Sequence, residues 1–75
     1  METSLNLISS FKKGIRVVES CENLTHLKGA RNYLDNFLRI FQKVYENDYM
    51  QSTVHQLYAE LYLAYDQKYM SFENN

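Results

Sequence analysis

Residues 25–47, THLKGARNYLDNFLRIFQKVYEN, carry two interleaved apolar series, Leu27, Leu34, Phe41 and Ala30, Phe37, Val44, each with a seven-residue period. On a helical projection Tyr33, Leu38, Ile40 and Tyr45 widen that face until it spans roughly 160°, and Lys28, Asn32, Asp35, Asn36, Arg39 and Lys43 lie opposite. An arc this broad exceeds the narrow seam of a two-stranded coiled coil. It needs two neighbours to cover it, and a short chain has to supply them from the residues on either side.

Both flanks read as helices. In SLNLISSFKKGIRVVESC, the residues Leu7, Ile8, Phe11, Ile15, Val18 and Cys21 fall on one side, with Lys12, Lys13 and Arg16 on the other. Thr3 or Ser4 is the expected N-cap. Gly14 sits at the edge of the apolar face, where a mid-helix glycine implies either a close neighbour or a local weakness. Downstream, Met50, Val54, Leu57, Leu61 and Ala64 form an aliphatic stripe. Beside it Tyr58, Tyr62, Tyr65 and Tyr69 recur at spacings of four, three and four, which again sums to an arc of roughly 160°. Leu63 and Met70 point the other way, outward in a monomer.

The breaks are short. Asn23 or Thr25 can cap the second helix, and Asn47, Asp48 and Ser52 supply turn or cap residues before the third. Short connections force successive helices to run antiparallel. The expected fold is therefore all-α, an up-down-up three-helix bundle with helices at about 4–21, 25–46 and 50–72, forming a single domain over 1–75. With no proline and two glycines in 75 residues, nothing interrupts long helices, and a turn-rich β fold has no support.

Charge is distributed unevenly. Residues 1–44 hold seven Lys or Arg and four acids, a balance of +3, whereas residues 45–75 hold Lys68 and five acids, a balance of −4. The two parts should attract, within a chain or between chains. One cysteine, Cys21, excludes an internal disulfide and fits a reducing compartment. No apolar run reaches the length of a membrane span, and METSLNLISSFKK lacks a basic region followed by an apolar stretch, so the expected location is the cytoplasm, with no membrane contact.

Motifs for chemistry are missing. There is no glycine-rich phosphate loop, nucleophile elbow or His-Glu-x-x-His. Cys21, His26 and His55 lack the paired spacing of a metal site, so neither metal nor cofactor is expected. Glu60 with Asp66, and Glu46 with Asp48, read as solvated acids rather than as acid–base pairs. Enzyme activity is not expected.

The basic faces carry one alternative. Lys12, Lys13, Arg16, Lys28 and Arg31 could neutralise phosphates of a nucleic acid. The slightly negative net charge and the sequence pI near 6.0 weigh against it.

Seven tyrosines exceed what so small a bundle needs to fill its centre. Tyrosine suits interfaces because it combines a large apolar ring, a polar tip and little rotamer entropy. The leading expectation is a non-enzymatic protein-protein interaction module (an adaptor, inhibitor or regulatory subunit) that self-associates as a homodimer. Its binding residues would be Tyr58, Tyr62, Tyr65, Tyr69, Leu63 and Met70, with Tyr58 and Tyr65 half in the core and Tyr62 and Tyr69 at the surface.

Overall fold

A computed structural model describes residues 3–73 of the chain, and the side chains of residues 6–73. It contains α1 (Thr3–Glu19), α2 (Leu24–Val44) and α3 (Gln51–Glu73), and no strand among the described residues. Each helix packs on the other two, giving the expected three-helix bundle. Cross-helix contacts fix the directions. Asp35 meets Tyr58 and Gln42 meets Gln51, so α2 and α3 run antiparallel. Gly14 abuts Leu61 and the Glu19 carbonyl accepts from Lys68, so α1 and α3 run parallel.

The helix ends follow from local hydrogen bonding. α1 stops two residues before its expected end, where the Cys21 N–H turns back to the Val18 carbonyl at 3.2 Å. The Cys21 thiol donates to the Val17 carbonyl, and Lys68 Nζ donates to the Glu19 carbonyl at 3.0 Å. A cation at a helix C-terminus satisfies a carbonyl that has no intrahelical partner and favours the helix dipole. Asn23 caps α2 from an extended backbone, its Oδ1 accepting from the His26 N–H at 2.9 Å. The helix then runs straight through Gly29. The side chains of Thr3 and Ser4, the expected caps of α1, lie outside the described residues.

The α2–α3 connection is a tight turn. Asn47 adopts a positive φ of 62°, a conformation that asparagine tolerates better than most residues. Asp48 Oδ1 accepts from the Met50 N–H at 2.8 Å, and α3 begins at Gln51.

Leu7, Val18, Leu27, Leu34, Val54 and Leu61 are fully buried at the bundle axis. Each such side chain contributes roughly 1.5–3 kcal/mol of hydrophobic stabilisation relative to exposure. Phe37 and Phe41 stack one turn apart, with centroids 5.1 Å from each other. Both seven-residue series of α2 point inward as expected, except at the C-terminal end. There Val44, the last residue of the helix, is exposed, while its C-cap Tyr45, also on the apolar arc, is buried. Ile8 and Ile40, placed on apolar faces by periodicity, are also largely exposed.

Gly14 sits where the three helices meet. A Cβ there would lie 2.8 Å from Leu61 Cδ2 and 3.2 Å from Tyr33 Cε1. The glycine therefore serves packing rather than marking a weak point. Nearby, the Tyr33 hydroxyl donates to the Ser10 carbonyl at 2.8 Å and ties α2 to α1.

Candidate functional site

The four tyrosines of α3 form a continuous ladder. Ring centroids are 5.8 Å apart for Tyr58–Tyr62, 5.5 Å for Tyr62–Tyr65 and 6.3 Å for Tyr65–Tyr69, within the range of favourable aromatic contacts. The ladder lies along the seam with α2, and α2 clasps it. The Arg31 guanidinium sits 5.1 Å from the Tyr62 ring centroid and 5.7 Å from that of Tyr65. Each such cation–π contact is worth roughly 0.5–1 kcal/mol at an exposed site. One turn on, Asp35 Oδ1 accepts from the Tyr58 hydroxyl at 3.2 Å, and its Oδ2 lies 3.8 Å from Arg31 Nε.

The electrostatics follow that geometry. The Tyr65 phenol, then Tyr62, hold the Arg31 guanidinium above its ordinary pKa. Burial, then the Asp35 carboxylate, push the Tyr58 phenol up. The Glu73 carboxylate does the same for Tyr69. All three tyrosine and arginine groups keep their neutral-pH charge states.

The structure sorts the six candidate residues into two sets. Tyr65 is buried, Tyr58 and Tyr62 are half-buried with Asp35 on the first and Arg31 over the second, and Tyr69 lies beyond the clasp with 38% of its surface exposed. Tyr62 is thus more enclosed than its angle on the helix suggests, because Arg31 covers it. Leu63 and Met70, 58% and 60% exposed, point away from the bundle as expected. Leu63 and Met70 therefore form the open apolar part of α3, while Tyr69, about 120° around the helix from them, ends the ladder that braces α3 against α2.

The basic residues are also divided. Lys12, Lys13, Arg16 and Lys28 are exposed, whereas Arg31 is engaged with tyrosines and Asp35. In the nucleic-acid alternative Arg31 is one of the phosphate-neutralising residues. The signal that points to its other role is the Arg31/Asp35 pair, four residues apart at the flank of the apolar arc. Among the described residues this is the single ion pair, so the basic helices and the acidic third helix do not neutralise each other within one chain.

Other features are less convergent. Ser10, Tyr33, Asn36, Phe37, Ile40 and Phe41 line a shallow groove of about 180 Å³ between α1 and α2. Among the described residues no three His, Cys, Asp or Glu side chains come together. The Cys21 thiol is buried, with its pKa raised by that burial, and His26 Nδ1 accepts weakly from the Glu22 N–H at 3.4 Å. Among the described residues, no helix is long and apolar enough to cross a membrane.

Fold and faces together define a small all-α bundle whose third helix carries a braced aromatic ladder and an open apolar edge. Compared with known proteins, the chain matches no family model, no curated protein and no solved structure.

Proposed function

We propose that this protein is a small non-enzymatic binding module, an adaptor, inhibitor or regulatory subunit, that self-associates and meets other protein surfaces through α3. The observation that carries this reading is the outward pair Leu63 and Met70, with Tyr69 part-exposed at the end of the ladder, on a helix that Arg31 and the tyrosines brace against α2. Large apolar side chains on a pre-organised helix lose little entropy on binding, and that favours affinity. Glu60 and Asp66 flank the pair and would orient a basic partner. The single reduced thiol, buried and bonded to a carbonyl of its own helix, suits a cytoplasmic protein.

The test is a triple Leu63→Ser, Tyr69→Ser, Met70→Ser variant. It should keep its helical circular dichroism and lose association with its partner chain. Association at wild-type strength would rule the face out.

A further inference from the structure

Building on the reading of α3 as a face for protein partners, we infer that the last rung of its aromatic ladder, Tyr69 between the carboxylates of Asp66 and Glu73, is a seat for an arginine side chain of a basic partner segment.

The ladder already holds one arginine. Asp35 meets Tyr58 and Arg31 lies over Tyr62 and Tyr65, so one stripe of α2 covers successive rungs. Leu24, Lys28, Arg31 and Asp35 make up that stripe at spacings of four, three and four, antiparallel to the tyrosines. Eleven residues on from Tyr58 is Tyr69, and eleven back from Asp35 is Leu24, so these two are level at the start of α2. The last rung is thus level with an apolar residue where the earlier rungs meet charged ones, and both side chains are 38% exposed. Among the described residues the cations lying over rings are Arg31 and Lys68, and Lys68 is over Phe72, so the Tyr69 ring carries none.

The groups around that ring select the ligand. Tyr62, Asp66, Tyr69 and Glu73 share a stripe of α3, again at four, three and four. Asp66 and Glu73 lie about 4.5 Å and about 6 Å from Tyr69 along the helix axis, one on each side. Both are exposed, and neither has an ion-pair partner among the described residues. The Glu73 carboxylate is close enough to the Tyr69 phenol to raise its pKa. The helix's own cation, Lys68, is turned away to the Glu19 carbonyl. Lys28, exposed across the seam, opposes an incoming cation, one charge against two carboxylates. A guanidinium laid on Tyr69 would repeat the stack that Arg31 makes on the neighbouring rungs, with its N–H groups reaching a carboxylate and its methylene stem on Leu24. An ammonium has no plane to stack and is more strongly hydrated, so the seat favours arginine over lysine. Met70, 60% exposed, is four residues beyond Asp66 and three before Glu73. It extends the seat into an apolar surface that a protein segment covers and a free cation does not.

The test is an NMR titration of the full chain with the end-capped pentapeptide Ala-Ala-Arg-Ala-Ala and its lysine and citrulline counterparts. The arginine peptide should shift the Tyr69 ring resonances and bind about two- to fivefold more tightly than the lysine peptide, and the neutral citrulline peptide should not bind. Tyr69→Leu keeps both carboxylates, and Asp66→Asn/Glu73→Gln keeps the ring. Each should weaken the arginine peptide by about two- to fivefold. All three positions are exposed, and circular dichroism checks that each variant is folded. Shifts centred away from Tyr69, equal binding of the lysine peptide or of spermine, or undiminished binding to Tyr69→Leu would overturn the inference. So would a sedimentation mass that falls in Arg16→Gln/Arg39→Gln, since the arginine would then come from a second copy. The binding role of α3 itself falls by a different result, retention of association in the Leu63, Tyr69, Met70 triple variant.

Discussion

The two glycines offer one substitution in two environments. Gly14 is buried where three helices meet, and Gly29 is exposed with nothing within 4 Å of an added Cβ. Both lie inside helices, so Gly→Ala brings each the same gain in helix propensity, roughly 0.5–1 kcal/mol. At Gly29 that gain is the whole effect. At Gly14 the new methyl would sit 2.8 Å from Leu61 Cδ2 and 3.2 Å from Tyr33 Cε1. Carbon atoms prefer roughly 3.5–4.0 Å. Leu61 is fully buried and Tyr33 is held by its bond to Ser10, so admitting the methyl means shifting a core side chain and a tethered ring. Overpacking of this kind costs about 1–3 kcal/mol. Propensity cancels between the two variants, so their difference isolates packing: Gly14→Ala should be about 1–3 kcal/mol less stable than Gly29→Ala. In a domain this size each kcal/mol moves the melting temperature by roughly 4–8 °C. Urea and thermal unfolding followed by circular dichroism measure it. Equal shifts of the same sign in both variants would refute the close approach of α1, α2 and α3.

Three further outcomes follow from single side chains. The Tyr45 hydroxyl is buried without a hydrogen-bond partner, so Tyr45→Phe should leave the fold intact and raise stability by about 1 kcal/mol in urea titration. Tyr58 and Tyr33 have phenols pushed above their ordinary value, in both cases first by burial. The unfolded chain therefore ionises first, and their contribution is complete below the ordinary tyrosine value of about 10 and is lost as pH rises through the higher native values. The urea midpoint should fall above that pH, and less so in Tyr58→Phe; an unchanged slope in that variant contradicts the assignment. For nucleic acid, no mobility shift of duplex DNA is expected at low salt. A shift abolished by Lys12→Ala/Lys13→Ala/Arg16→Ala would move the function to the basic face of α1.

The three helices were legible because their apolar residues keep a helical period over several turns, and that signal survives without tertiary knowledge. Gly14 was legible as a choice between close packing and weakness, and Leu61 and Tyr33 decide it. The division of the tyrosines was only half legible. A helical projection gives angles about one axis but not the side on which the neighbour lies. Tyr62 looked outward until α2 placed Arg31 over it. The exposure of Val44 was hidden for a related reason, since the periodic pattern runs on to the residue where the helix stops, whereas Tyr45, on the apolar arc as read, is buried. Ile8 and Ile40 sit at the edges of their arcs, where the width of the neighbouring helix decides burial.

Contact through the outward side of α3 is tested most directly by placing a photo-crosslinking residue singly at Leu63, at Met70 and, as control, at the exposed Asn32 on the outer side of α2. Positions 63 and 70 should yield inter-chain products and position 32 none. Products from position 32 alone would contradict the account.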